Sequence, residues 1–337
     1  MKRELGSLAT HCAYLGKPAH EGSVVPFPMR PSSVFARQVS ELARRLKAIR
    51  CRGAVIGLSG GLDSALALLV ANAAFERLGL EKAGLRVLTM PGFGTTRRTK
   101  GNAVLLAEGL GLEVETIPIA RSVRQHFRDI GHDGVTCDVT YENAQARMRT
   151  LILMDKANMT GGIVLGTGDL SEIALGWCTY NGDHMSMFGV NAGVPKTVVR
   201  KVCAWWAARA LKAGGAGGRK AARALLDIVA TPVSPELKKG QATEDAIGPY
   251  ELHDFFLWNF IVNEMGPKRL KAEALKYFGG RFDEALVGRT CETFLRRLFT
   301  QAFKRNCAPD GIRVFPFELS LRGWWIPSDL GCMRLKG

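Results

Sequence analysis

The chain has 337 residues, with 46 Lys/Arg against 31 Asp/Glu, a net charge of +15 and 47% hydrophobic residues. That length suits one large α/β domain with additions, or two small domains, and the composition is that of a chain able to build a core. Its apolar stretches fall far short of the ~18 residues that span a bilayer. No apolar signal segment opens the chain, and Cys12, Cys51, Cys137, Cys178, Cys203, Cys291, Cys307 and Cys332 form no Cys-x-x-Cys pair. Membrane spans, zinc ribbons and disulfide scaffolds are excluded on this reading, and reduced thiols in the cytoplasm are expected.

Residues 1–33, broken by Pro18, Pro26, Pro28 and Pro31, read as an irregular lead-in. Residues 33–49 are amphipathic, with Leu42, Leu46 and Ile49 on one side, and predict a helix. Short apolar runs at 53–58, 85–90, 114–119 and 162–166 read as buried strands, and helical patterns at 65–78, 100–110 and 141–159 separate them. This alternation predicts an α/β fold: a doubly wound parallel sheet with helices on both faces. Residues 198–211 read as a further helix, whose Trp205 and Trp206 suit either a subunit contact or plain core. Residues 212–220, with four glycines, read as a flexible loop, and the Pro/Lys-rich 231–240 as mobile. Helices at 250–263, 267–277 and 282–303 make a C-terminal helical extension, and an irregular tail covers 306–337. The main domain on this reading is 34–305.

Two turns carry chemistry. Gly57-Leu58-Ser59-Gly60-Gly61-Leu62-Asp63-Ser64 links the first strand to a helix start. Such a turn presents backbone N–H groups and the positive end of a helix dipole to an anion. Gly60 and Gly61 permit close approach of a ligand, and Ser59 and Ser64 add hydroxyls. Asp63 would repel a phosphate unless it holds Mg²⁺ against it. The plainer alternative is a strand-to-helix turn with an Asp/Ser cap. The second turn, Gly166-Thr167-Gly168-Asp169-Leu170-Ser171-Glu172, follows a strand at the matching end of the sheet. A Thr hydroxyl and a Glu carboxylate there could complete a metal and phosphate site; alone, the stretch also reads as a helix-capping box around Ser171 or Asp169. Between His184 and Leu226 lie eight Lys/Arg and no Asp or Glu, which suits either a solvated basic face or a polyanionic small substrate.

The SGGLDS turn resembles the pyrophosphate loop of ATP pyrophosphatases. The blocks Met90–Thr96, Tyr141–Arg147, GTGDLSE, Gly176–Asp183, Val194–Thr197 and Pro249–Phe256, in that order, resemble the signature of NAD⁺ synthetases. The likeness runs from about Val25 to Trp324-Trp325 and is nearest to the synthetase domain of bacterial glutamine-dependent NAD⁺ synthetase. It implies the adenine nucleotide alpha-hydrolase-like fold. It also implies ATP-dependent amidation: the nicotinate carboxylate of deamido-NAD⁺ attacks the α-phosphate of ATP, pyrophosphate leaves, and ammonia displaces AMP from the NAD-adenylate.

Site roles follow from the same resemblance. Gly57, Leu58, Ser59, Gly60, Gly61, Leu62, Asp63 and Ser64 cradle the ATP pyrophosphate, and Asp63 holds Mg²⁺. Thr167 touches ATP, Glu172 binds Mg²⁺ or orders the substrate, and Lys196 and Ser234 contact ATP phosphates. Asn143, Arg147, Glu172, Trp177, Asp183 and Lys304 sit on deamido-NAD⁺, with Trp177 able to stack on the nicotinate ring. Asp63, Ser59, Thr167, Glu172 and Lys196 form the catalytic set, while His184 and His253 read as structural or substrate-adjacent. Glutamine-dependent members carry a nitrilase-like glutaminase ahead of the synthetase domain. Only 56 residues precede Gly57 here, too few for such a domain, so three readings stand open: free ammonia, ammonia from a separate glutaminase subunit, or a fragment of a longer glutamine-dependent enzyme. The resemblance further implies a homodimer or larger homo-oligomer. Alternatives are another pyrophosphate-loop ligase, for which the basic charge would favour tRNA, or an inactive truncated subunit. The GTGDLSE block and the intact site residues favour an enzyme with small-molecule partners, without nucleic acid or membrane.

Overall fold

The computed structural model describes residues 23–232, 237, 243–320 and 323. Helix α1 (Pro31–Ala48) opens on a proline, whose fixed φ suits a first helical turn, and buries Val34, Phe35, Leu42 and Leu46. Strand β1 (Ala54–Gly57) and helix α2 (Leu62–Leu78) follow, then β2 (Leu85–Thr89), α3 (Arg97–Gly109), β3 (Val114–Thr116), α4 (Ala120–Ile130) and α5 (Val139–Thr160). Next come β4 (Ile163–Gly166), α6 (Leu170–Leu175), β5 (Phe188–Gly189), α7 (Lys196–Ala213) and α8 (Ala216–Ala230). The chain continues through α9 (Thr243–Ile247), α10 (Tyr250–Ile261), α11 (Pro267–Phe278) and α12 (Glu284–Thr300), and a 3₁₀ segment covers Ala302–Cys307.

The five strands are parallel, in the order β3-β2-β1-β4-β5, with Val55 of β1 opposite Arg86 on one side and Val164 on the other. Period-2 alternation splits the core between the two faces of the sheet. Ile56, Val87 and Leu165 point into the larger core with α1, α2, α3, α7, α8 and the C-terminal helices. Val55, Leu88 and Val164 point into a smaller one, with Val123 and Phe127 of α4 and Ala144 and Ala157 of α5. The chain leaves β1 toward β2 and returns to its other side as β4. This topological switch places a crevice beyond the carboxyl ends of β1 and β4, where the two chemistry-bearing turns lie.

The strands and most helices fall where the sequence pattern puts them, and four segments differ. Helix α4 was not expected because only Val123 and Phe127, four residues apart, are buried, too thin a stripe among charged neighbours. Strand β5 has two residues, below what a pattern can show, yet it extends the sheet and bridges to Gly311. The glycine-rich 212–220 stretch is not a loop throughout. Gly214 and Gly215, both at positive φ, make the reversal, and α8 then begins at Ala216. Its Gly217 meets Gly109 of α3 so closely that an added Cβ would sit 2.7 Å from the Gly109 carbonyl oxygen. Gly217 thus serves backbone-to-backbone helix packing, and Gly214 and Gly215 the turn before it. The predicted 282–303 helix ends at Thr300 and tightens into the 3₁₀ segment. Trp205 and Trp206 are half-buried against the core, Trp205 beside Phe35.

From residue 308 to 320 the backbone is irregular but packed: Ile312, Val314, Phe315, Phe317 and Leu319 are buried. Phe315 meets Phe27, from the opposite end of the described chain, at 4.8 Å between rings. Among the described residues no helix is long and apolar enough to cross a membrane.

Candidate functional site

The turn after β1 is closed by its own hydroxyls. Ser59 N–H donates to Ser64 Oγ at 3.3 Å, Gly61 N–H donates to Ser59 Oγ at 3.0 Å, and Ser64 Oγ–H donates to the Gly61 carbonyl at 3.1 Å. The two hydroxyl oxygens lie 3.0 Å apart. Gly61 is the N-cap of α2 and provides no side-chain acceptor, so the helix start keeps its donors for an anion. Gly60 has a tighter reason to be glycine than ligand approach. Its φ is +88°, and a Cβ there would lie 2.1 Å from the Thr99 carbonyl oxygen at the start of α3. Packing against Thr99 thus demands glycine at this position whether or not a ligand approaches the turn. Gly57 and Leu58 end the strand beneath the turn, and Leu62 anchors the helix start in the core.

The turn after β4 begins α6 with a full capping box. Asp169 Oδ1 accepts from Glu172 N–H at 2.8 Å, while Glu172 Oε2 accepts from Asp169 N–H at 3.4 Å. The box does not compete with a site; it aims it. The other oxygens of both carboxylates turn toward Lys196 Nζ, at 2.9 Å for Asp169 Oδ2 and 2.9 Å for Glu172 Oε1, and Asp63 Oδ2 joins them at 2.5 Å. Lys196 is 1% exposed and Asp169 0%. The sequence reading named Asp63, Glu172 and Lys196 but took Asp169 only as a cap. The signal that would have found it is two carboxylates three residues apart at a strand end facing the first turn. Lys196, expected on ATP phosphates, has its ammonium among the three carboxylates, with the Tyr250 ring 5.2 Å away.

Asn191 was also missed, and it staples the two turns together. Its Nδ2 donates to the carbonyls of Asp63 at 2.8 Å and Thr167 at 3.0 Å, and its Oδ1 accepts from Gln38 of α1. Thr167, in the second turn, is half-buried, and its carbonyl is the one that Asn191 holds.

Burial alone would strip the Lys196 ammonium of its proton; Asp169, Asp63 and Glu172 together reverse that and hold it well above the usual lysine range. Desolvation likewise raises Asp169 well above the carboxylate range, against the pull of Lys196, and raises Glu172 to about 7. Three carboxylates share one ammonium, and Asp63 Oδ1 is buried with no hydrogen-bond partner. The excess of negative charge and the all-oxygen donor set fit a hard divalent cation such as Mg²⁺. Asp63, Asp169 and Glu172 each bring one oxygen within 4.8 Å of the others and would hold it.

The residues expected on the second substrate gather around the 176–184 loop, next to α6. Asn143 Oδ1 accepts from Thr179 Oγ1 at 2.8 Å, Arg147 Nε donates to the Tyr180 carbonyl at 3.2 Å, and Asp183 Oδ1 accepts from Thr179 N–H at 2.7 Å. Trp177 is half-buried with the Arg297 guanidinium 4.9 Å from its ring centre, so one face is already covered. Lys304 differs from expectation: its ammonium donates to the carbonyls of Gly176 at 2.9 Å and Cys178 at 2.7 Å. It joins Arg297, on Leu175 and Gly176, and Arg305, on Ile173 and Ala174, in satisfying the carbonyls at the end of α6. The three cations also oppose the negative end of that short helix. His184, half-buried, lies 3.2 Å from Cys307 Sγ and 2.9 Å from the Thr179 carbonyl, and His253 is buried, so neither faces the carboxylate cluster. Ser234 lies outside the described residues, as do Trp324 and Trp325.

Comparison with known proteins gives a consistent answer. Residues 34–290 match the family model described as NAD synthase. Over 322 residues the chain is 38% identical to the glutamine-dependent NAD(+) synthetase of Mycobacterium tuberculosis (strain ATCC 25618 / H37Rv), covering 87% of this chain and 47% of that protein. The chain spans about half the length of the curated relatives it matches. Among solved structures, an NMN synthetase from Francisella tularensis is 25% identical with a TM-score of 0.57, covering 70% of this chain and 94% of its own. A glutamine-dependent NAD(+) synthetase from Cytophaga hutchinsonii, 18% identical, shares the fold with a TM-score of 0.68 over 88% of this chain and 53% of that one.

Proposed function

The chain belongs to the NAD synthase family, and from that premise we propose that it amidates deamido-NAD⁺ to NAD⁺ at the expense of ATP, releasing AMP and pyrophosphate. The observation that carries the reading is the convergence of Asp63, Asp169, Glu172 and Lys196 beside the Ser59–Ser64 turn. A carboxylate cannot be amidated until its oxygen becomes a leaving group, and transfer to the α-phosphate of ATP achieves that. The nicotinate oxygen forms a bond to the α-phosphorus as the bond to pyrophosphate breaks. Ammonia then bonds to the acyl carbon, loses a proton, and AMP departs with the oxygen.

Negative charge grows on oxygens in both steps, so fixed donors and cations matter more than any covalent nucleophile. The start of α2 and the Ser59 and Ser64 hydroxyls would receive the pyrophosphate, and Lys196 would hold the carboxylates in place. When bound by Asp63, Asp169 and Glu172, Mg²⁺ would neutralise phosphate charge. Asn143, Arg147, Trp177 and Asp183 would present the nicotinate end, with Lys304 acting through the loop it shapes.

Ammonia, free or delivered by a separate glutaminase, is the nitrogen source in this proposal, and a cytoplasmic homodimer or larger homo-oligomer the working form. The test is NAD⁺ formation from deamido-NAD⁺ and Mg-ATP, with ammonium chloride in one tube and glutamine in a second. A third tube offers nicotinate mononucleotide, prompted by the NMN synthetase likeness. NAD⁺ with ammonia is the expected result. Amide formed on the mononucleotide alone would reassign the substrate, and no AMP release from any tube would overturn the reading.

A further inference from the structure

Helix α7, which begins with Lys196, has no cap of its own, because Pro195 precedes it and offers no side-chain acceptor. Its first two N–H groups are satisfied from elsewhere. Lys196 N–H donates to Ser171 Oγ at 2.9 Å, and Thr197 N–H donates to Asp254 Oδ2 at 2.9 Å. Thr197 Oγ1–H donates to the same Asp254 oxygen at 2.6 Å, and Ser171 Oγ–H donates to Asp254 Oδ1 in a short bond. Asp254, on α10, is 1% exposed. One buried carboxylate thus grips the residue after Lys196 and the residue between Asp169 and Glu172. Helix α6 has only six residues, too few to hold its own direction.

We propose that Asp254 is a positioning residue: it caps α7 from outside, locks it to α6, and so sets the convergence of Asp63, Asp169, Glu172 and Lys196. The inference rests on reading that cluster as the metal and phosphate site. Asp254 touches none of the reacting atoms and acts through Ser171 and Thr197. It also gives a task to the Pro249–Phe256 block, which the sequence marks without assigning a role. Partners of this kind around a metal site change affinity or activity by about 10–100-fold when removed.

The experiment compares wild type with Asp254→Asn, Asp254→Ala and Thr197→Val, and with Val123→Ala, a buried change on α4 in the smaller core across the sheet. Mn²⁺ affinity is measured by titration calorimetry on protein without substrate, beside circular dichroism, thermal melts and the Mg²⁺ dependence of turnover. The expected result is a loss of Mn²⁺ affinity of about 10–100-fold in Asp254→Asn with folding retained. Val123→Ala should lower the melting temperature and leave Mn²⁺ affinity alone. Thr197→Val, which keeps the N–H bond and loses the hydroxyl bond, should fall between, and decides the matter if both Asp254 variants fail to fold. Folded Asp254→Asn with wild-type Mn²⁺ affinity overturns the proposal, as does a wild type that binds no Mn²⁺. Loss of Mn²⁺ binding in a protein that makes no NAD⁺ would uphold the positioning role and remove the amidation reading.

Discussion

The turn after β1 is closed mainly by its own hydroxyls, with Asn191 on the Asp63 carbonyl as its long-range tie, whereas the turn after β4 takes most of its ties from the far end of the chain. Ser59, Gly61 and Ser64 close the first with bonds that span five positions at most. The second has a local cap in Asp169 and Glu172, but Asp254, Arg297, Lys304 and Arg305 fix the rest of α6, with Lys304 reaching back 128 positions. A locally closed turn makes a cradle that survives changes elsewhere. A remotely closed one ties its carboxylates to the docking of α10 and α12, so the placement of Asp169 and Glu172 depends on the C-terminal helices.

The largest expected break comes where the two turns meet. Lys196→Met leaves Asp63, Asp169 and Glu172 facing one another without a cation, and the loss of one partner of a buried charge group costs about 3–5 kcal/mol. Turnover should fall by about 10²–10³ as a fixed cation is lost from the site. Mg²⁺ should raise the melting temperature of Lys196→Met more than that of wild type, because a divalent ion can replace the missing charge. Melts with and without Mg²⁺ check this, and equal shifts would mean that the carboxylates do not form a common cation site.

Acid should separate the two turns. His253 lies in α10, 1% exposed, with Nε2–H donating to the Ile247 carbonyl at 2.8 Å and Nδ1 without a hydrogen-bond partner. Desolvation lowers it from 6.5 to about 4, so the folded protein keeps it neutral while the unfolded chain takes up a proton. Its contribution is therefore complete above 6.5 and disappears as pH falls through about 4, some ~3 kcal/mol over the window. Charging His253 loosens α10, which holds the second turn, and touches nothing in the first. Denaturant melts of wild type and His253→Gln from neutral pH to about 4 should show the wild type losing stability faster. Parallel curves would assign the acid loss to other groups. Hydrogen exchange at low pH should open α6 before the start of α2.

The same contrast explains what was legible in the sequence. The strand–turn–helix around Ser59 could be read because its partners are neighbours along the chain, and the parallel sheet because its strands are short apolar runs. Gly60 is legible as a flexible position, but its packing against Thr99 is not, since Thr99 reaches it only through the fold. Asp169 does cap α6 as its pattern suggests, but its second oxygen meets Lys196 across the crevice, and no local pattern carries that. Asn191 and Asp254 bridge elements distant in sequence and leave no periodic trace. Lys304, at a basic helix end, donates to the carbonyls of Gly176 and Cys178, contacts that no local pattern shows. In α8, glycine chemistry that reads as a loop is used for close helix packing against Gly109.

The smallest expected effect sharpens the contrast from the other side. Ser59→Ala removes a hydroxyl that accepts from Gly61 N–H at 3.0 Å and shares a proton with Ser64 Oγ at 3.0 Å. Ser59 is exposed, so water can take over the abandoned donor, and the stability loss should stay near 1 kcal/mol. Mn²⁺ affinity should not change, because no bond of Ser59 reaches α6 or α7, while the KM for ATP should rise as the cradle loses one donor. Calorimetry and initial-rate kinetics on this one variant therefore separate the two turns. A fall in Mn²⁺ affinity as large as that expected of Asp254→Asn would show that the first turn also shapes the carboxylate cluster, and the division between a self-held cradle and a remotely held metal side would fail.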